Sequence, residues 1–245
     1  MQQDDKIFLY EQFQQYAVQE AMANSMEQFQ QLVTKYGCAI KEVRTKFEVL
    51  NEELSIKSKR NPIHAIKSRI KNPRSIIDKL QRKGLAFTLE NMQNELNDVA
   101  GVRVICDFVD DIYEIADMLL KQDDIRLISY KDYIREPKPN GYRSYHMIVE
   151  TPVFFSEGKE FLKVEVQLRT IAMDFWASLE HELKYKKDLS QIDSASISAQ
   201  LLECATTIAD MDSKMQEIKN QIYPRFPQEM LLEQEEKQNG SIKNT

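Results

Sequence analysis

Apolar residues recur every three or four positions near the start of the chain: Phe29, Leu32, Val33 and Tyr36, then Ile40, Val43, Phe47, Leu50 and Leu54. Glu, Gln and Lys fill the gaps, so positions 7 to 58 read as two amphipathic helices with a break near Tyr36-Gly37. A third helix is predicted over 73–83, with Asn72 as N-cap and Pro73 in the first turn. The stretch 63–71 between them is too short and too basic to assign. After Asn97 the period changes to two. VAGVRVICDF, DIRLISYKDYI, GYRSYHMIVETPV and FLKVEVQLRT are β-branched, alternating segments that read as strands. One helix interrupts them, at 110–121, with Ile112, Ile115, Ala116 and Leu119 inward. Two more follow: 170–186, carrying Phe175, Trp176, Leu179 and Leu183 on its apolar face, and 194–222. From position 228 the chain is polar apart from Met230 to Leu232, which predicts a loose tail. There is no internal repeat. These elements predict an α+β fold, a mixed, mostly antiparallel sheet of about five strands flanked by helices. The expected division is N-terminal helices over 1–60, a core over 61–190, a C-terminal helix over 191–225 and a flexible tail over 226–245.

Composition adds limits. The chain has 245 residues, 42% of them hydrophobic, with only 6 Gly and 7 Pro, which supports a packed core and argues against a collagenous or disordered chain. Cys38, Cys106 and Cys204 are too scattered for a disulfide framework or a CxxC metal site, so idle thiols in a reducing compartment are expected. The N-terminus is acidic where a signal peptide would be basic, and no apolar run approaches the roughly 18 residues of a membrane span. A cytoplasmic protein with no membrane partner is the expectation.

The formal net charge of −6 would ordinarily argue against a phosphate ligand. Its distribution argues the reverse. Positions 57–83 hold ten Lys and Arg against one acid, +9 locally, which leaves −15 for the remainder. Ser75, Lys79 and Arg82 share one face of the predicted third helix, opposite Ile76, Ile77 and Leu80. With the free N–H groups of the helix start, that face is a candidate phosphate cradle; a merely solvated basic face fits the pattern equally well.

Two further places carry candidate chemistry. In FLKVEVQLRT, alternation puts Leu162, Val164, Val166 and Leu168 on one face and Lys163, Glu165, Gln167 and Arg169 on the other. A glutamate centred in a strand needs a reason: metal binding, base catalysis or an ion-pair ladder. Asp98, at the entry to VAGVRVI with Gly101 and Arg103 just beyond, is the natural second carboxylate. Two carboxylates beside a basic cradle suit Mg²⁺-nucleotide chemistry. In KPNGYRSYH the Pro-Asn-Gly turn would start a strand with Tyr142, Ser144 and His146 on one face, where the Tyr142 ring can stack on a base. His64, His146 and His181 are not spaced as a metal triad.

Together HAIKSRIKNPRSIIDKLQRKG, NDVAGVRVICDF, KPNGYRSYHMIVE and VEVQLRTIAMDFWASLEHELKYK resemble the synthetase domain of the RelA/SpoT superfamily. Four motifs in order across nearly the whole chain make the resemblance specific. Without flanking domains it is that of a small alarmone synthetase, nearer the RelP branch than RelQ. The resemblance implies a nucleotidyltransferase-like sheet and transfer of the β,γ-pyrophosphate of ATP to the 3′-hydroxyl of GTP or GDP. It implies that Arg69 and Arg103 sandwich adenine, that Lys71, Ser75, Lys79 and Arg82 hold ATP phosphates, and that Asp98 ligates Mg²⁺. Glu165 would be the general base and share the metal, and Tyr142 would stack on guanine. Lys138, His146, Gln167 and Lys131 would line the acceptor side. It also implies homotetramers built by the terminal helices, and inhibition by zinc. The His-Asp hydrolase motif is missing, so a synthetase that cannot degrade its product is expected. Asp174 replaces an Asn of RelQ-type enzymes, which puts stimulation by pppGpp in doubt. An RNA-binding module would use the same basic stretch, but Asp98 and Glu165 would repel a phosphate backbone, so RNA binding is not expected. Nucleotidyl transfer is the rival chemistry.

Overall fold

The structure, a computed structural model, describes residues 3–57, 60–185 and 194–223, with side chains for 24, 26–57, 60–183 and 195–223. The predicted tail over 226–245 lies outside the described residues. The order of elements is α1 (Gln3–Lys57), β1 (Ile63–Ile70), α2 (Pro73–Arg82), α3 (Leu89–Glu95), β2 (Ala100–Cys106), α4 (Val109–Leu120), β3 (Arg126–Asp132), β4 (Tyr145–Phe155), β5 (Gly158–Thr170), α5 (Ile171–Tyr185) and α6 (Ser194–Ile222). The five strands form one sheet in the order β1-β2-β5-β4-β3. Only β2 and β5 pair in parallel; the other three pairings are antiparallel.

One face of this sheet is the core. Val102 and Val104 of β2, Val164, Val166 and Leu168 of β5, and Met147 and Val149 of β4 are buried there. The stripe Leu32, Tyr36, Ala39, Ile40, Val43 and Phe47 of α1 covers them together with Ile112, Ile115, Ala116 and Leu119 of α4. The inward residues of α4 are the four expected. In contrast, α1 runs unbroken through Gly37. A helical glycine costs about 1 kcal/mol relative to Ala, and the buried stripe on both sides of it outweighs that loss. No neighbouring atom lies where a Gly37 side chain would point.

Three other expectations change. The unassigned basic stretch is strand β1, an edge strand registered against β2 from Ile63 to Ile70. Its Ile66 and Ile70 pack against the core while Lys67 and Arg69 are exposed, and charge is at home on an edge. Helix α3, too short to show a period, is started by Thr88, whose hydroxyl accepts from the Asn91 N–H at 3.1 Å, and is anchored by buried Met92. In α5 the buried apolar residues are Met173, Trp176 and Ala177, with Asp174 buried beside them, whereas Phe175, Leu179 and Leu183 stand 59%, 47% and 46% exposed. Helix α2 follows expectation, with the Asn72 side chain accepting from the Arg74 N–H at 2.9 Å and Ile76 and Leu80 inward.

Candidate active site

The second face of the sheet is polar, and its register arranges the polar residues in two rows. In one, Arg69 of β1 stands beside Gly101 of β2, Gly101 beside Glu165 of β5, Glu165 beside Ile148 of β4, and Ile148 beside Ser129 of β3. In the next, Lys67, Arg103, Gln167, His146 and Lys131 follow one another across the same five strands. Residues distant in sequence become neighbours because in-register strands lie about 4.8 Å apart.

Two adjoining clefts use these rows. An open cleft of about 550 Å³ is lined by Lys67, Ser68, Arg69, Gly101, Val102, Arg103, Glu165 and Gln167. Its floor is low at Gly101, which has no side chain to fill the space between Arg69 and Glu165. A second, of about 840 Å³, is lined by Lys79, Asn97, Asp98, Ser129, Tyr130, Lys131, Tyr133, Lys138, His146 and Glu165, with Met147 and Ile148. Glu165 belongs to both.

Asp98 is clamped at the mouth of α2. Its Oδ2 accepts from Lys71 Nζ at 2.8 Å and Lys79 Nζ at 2.7 Å. Burial pushes its carboxyl up, but the two ammonium hydrogen bonds outweigh burial and hold it below the usual carboxylate range. Its Oδ1 is buried and has no hydrogen-bond partner. An orphaned oxygen on an ionised carboxylate, next to a second carboxylate in the same cleft, fits a hard divalent cation that takes its remaining ligands from water and phosphate. No group of three or more His, Cys, Asp or Glu suited to a metal occurs among the described residues, so a fuller protein cage for zinc is not found there.

Glu165 is the second carboxylate. Burial pushes it up, yet the approach and charge of His146 and a hydrogen bond from Gln167 Nε2 at 2.9 Å leave it lowered, against the opposing charge of Asp98. His146 Nδ1 is 3.6 Å from Glu165 Oε1. Two cationic neighbours in the strand pair elsewhere. Lys163 donates to the Asn94 carbonyl at 3.3 Å, and Arg169 turns towards Asp174.

Asp174, at the start of α5, is a hub that sequence reasoning did not find. It accepts from Lys67 at 3.0 Å, Arg103 at 3.1 Å and Arg169 at 3.2 Å. Arg169, almost fully buried, donates in turn to Tyr142 Oη at 2.6 Å and Gln167 Oε1 at 3.2 Å. Tyr142 Oη lies 2.8 Å from His146 Nε2. A continuous polar path therefore runs from Arg103 through Asp174, Arg169, Tyr142 and His146 to Glu165.

The structure thus brings together Arg69, Arg103, Glu165 and Gln167 in one cleft and Lys79, Asp98, Lys131, Lys138 and His146 with Glu165 in the other, with Lys71 on Asp98. Ser75 and Arg82 remain exposed on α2 and line neither cleft. Tyr142 precedes β4 instead of starting it, and Ser144 is buried with its hydroxyl on the Leu168 carbonyl, so the expected common face of Tyr142, Ser144 and His146 does not form. The Tyr142 ring lines neither cleft; it stands edge-on to Tyr133 and His146, with the Lys138 ammonium 4.9 Å and the Arg169 guanidinium 5.1 Å from its centre. Tyr133, Lys67, Arg169 and Asp174 are additions. The sequence signals for them are the period-2 pattern, which places Arg169 on the Glu165 face, and the replacement of a RelQ-type Asn by Asp174, which says nothing of its partners.

A mixed five-stranded sheet with guanidinium groups, a lysine-clamped carboxylate and a second carboxylate on one polar face has the equipment of a nucleotide-handling enzyme. Comparison narrows this. Residues 68–190 match the region found in RelA / SpoT proteins. Over 197 residues the chain is 42% identical to the GTP pyrophosphokinase YwaC of Bacillus subtilis (strain 168), covering 80% of this chain and 93% of that protein. The structure superposes on small alarmone synthetase 2 from Bacillus subtilis with a TM-score of 0.70 at 41% identity, covering 79% of this chain and 98% of the other. It superposes on small alarmone synthetase 1 from the same organism, bound to its product pppGpp, with a TM-score of 0.72 at 32% identity, covering 80% and 98%. The chain belongs to the RelA/SpoT family, and its likeness there is to the small alarmone synthetases.

Proposed function

We propose that this protein is a GTP pyrophosphokinase that transfers the β,γ-pyrophosphate of ATP to the 3′-hydroxyl of GTP or GDP, and that it lacks the opposing hydrolase activity. The observation that carries this reading is the junction of the two clefts at Glu165, where a donor phosphate and an acceptor hydroxyl can meet. On the donor side Arg69 and Arg103 present planar guanidinium groups suited to adenine. Lys71 and Lys79 supply charge for the polyphosphate, with Ser75 and Arg82 further along α2. On the acceptor side stand Lys131, Lys138, His146 and Gln167, with Tyr142 as the guanine-stacking ring once Lys138 yields its place over it.

The acceptor oxygen attacks the β-phosphorus, and the bond from that phosphorus to the oxygen shared with the α-phosphate breaks, releasing AMP. Glu165 takes the hydroxyl proton. Its lowered pKa keeps it ionised and makes it a modest base, so alignment of the hydroxyl is its larger contribution; phosphoryl-type transfer asks little of a base. Asp98 Oδ1 and Glu165 would hold Mg²⁺, which neutralises phosphate charge when bound. The exposed apolar residues of α5 and α6 suit assembly into a homotetramer. The test is separation of products from γ-phosphate-labelled ATP incubated with Mg²⁺ and GTP. Label is expected in pppGpp, and label confined to phosphate or pyrophosphate would refute the reading. Glu165→Gln is expected to cut turnover by about 1,000-fold while ATP still binds by calorimetric titration; an active variant would remove Glu165 from the chemistry.

A further inference from the structure

The family match ends at residue 190, before α6 begins at Ser194. Yet α6 lies against the turn that carries Tyr142. That turn is closed on itself: the Gly141 N–H donates to the Lys138 carbonyl at 2.8 Å, the Lys138 N–H to the Tyr142 carbonyl at 3.1 Å, and the Tyr142 N–H to Asn140 Oδ1 at 3.2 Å. Gly141 has φ +86°, a conformation that glycine adopts without strain. A β-carbon there would collide with the Ala205 methyl of α6 and come within 3.2 Å of Leu202 Cδ1. Tyr142 itself packs with Leu201 and Ile208 on a small cluster of buried Trp176, Ala177 and Ala205, separate from the main core. The helix is tied down around this contact. Trp176 Nε1 donates to the Leu201 carbonyl at 2.9 Å, and the Thr170 hydroxyl donates to Asp212 at 2.7 Å. Asn140 Nδ2 donates to Glu180 of α5 at 3.2 Å, holding the turn from its other side.

We infer that α6 is a working part of the acceptor site, with Ala205 a positioning residue whose small side chain sets where the Lys138–Tyr142 turn and the Tyr142 ring stand. The inference rests on the acceptor reading of Tyr142. A rigid turn backed by a helix holds its ring in place before the base arrives, and misplacement by about 1 Å can cost on the order of 100-fold. The donor cleft, lined from β1, β2 and β5, shares no wall with α6 and reaches the turn through the Arg103–Asp174–Arg169–Tyr142 path.

The test uses the full chain. Ala205→Leu overfills the contact and displaces the turn; Leu202→Ala removes its backing without adding bulk. Each is expected to raise the KM for GTP by about tenfold with little change in kcat at saturation, and to leave the KM for ATP unaltered. Trp176, the only tryptophan in the chain, reports by its fluorescence that α6 is still docked. If both variants keep the wild-type KM for GTP while Tyr142→Ala raises it, α6 has no positioning role. An equal rise in both KM values also overturns the inference, because it signals general disruption. A Tyr142→Ala enzyme with wild-type KM for GTP instead refutes the acceptor assignment on which the inference stands.

Discussion

Asp174 is acidic in a helix start that reads in sequence as ordinary α-helix, yet three cations converge on it. Burial raises its pKa, but the hydrogen bond from Lys67 and the charges of Arg103 and Arg169 win, and the carboxyl is lowered. The pairing therefore stabilises the fold fully above the unfolded Asp value of about 4, and the stabilisation disappears as pH falls through the lowered native value. Asp174→Asn is expected to lose on the order of 2 kcal/mol at pH 7, since it leaves nearly buried Arg169 short of a counter-ion. Urea midpoints measured from pH 7 downwards should show the gap to wild type closing below about pH 4; a constant gap would mean the loss is steric. Glu165 was legible because a central glutamate contradicts strand preference. Asp174 was not, because its partners arrive from β1, β2 and β5, and no local period encodes them.

Among the elements, those with a strong period were readable: the α1 stripe, the inward face of α4 and the alternation in β5. β1 escaped because an edge strand that puts Lys67 and Arg69 in a cleft has lost the apolar alternation that marks strands. In α5 the periodicity is real and marks an outward face: Ile171, Phe175, Leu179 and Leu183 follow i, i+4 spacing and all are exposed. In α6 Leu202, Met211, Met215, Ile218 and Ile222 are exposed as well. Single exposed apolar residues are ordinary, but aligned ones mark contact surfaces. Changing Phe175 and Leu179 together to Ser should reduce the mass of the particle measured by light scattering; an unchanged mass would assign the stripe no role in assembly.

Over the whole molecule, the local +9 is reduced by acids that folding imports. Asp111 meets Arg60, Asp174 meets Lys67, Asp98 meets Lys71 and Lys79, and Glu95 meets Lys83. What remains is a limited positive region, suited to one polyphosphate and too small for a long nucleic-acid backbone. Raising salt from about 0.05 to 0.5 M should weaken ATP binding by roughly threefold to tenfold in a calorimetric titration, and single-stranded RNA should not bind measurably at either strength. Salt-independent ATP affinity would contradict the charge argument. The sheet order carries one more consequence, in time. The parallel β2–β5 pair sets Gly101 beside Glu165, and closing so long a loop is entropically slow. β1 and β2 come from chain that leaves the ribosome first, while Glu165 of β5 and helix α6 come late. A growing chain therefore holds Lys71 and Lys79 well before Glu165, and the two clefts can meet only once β5 pairs with β2.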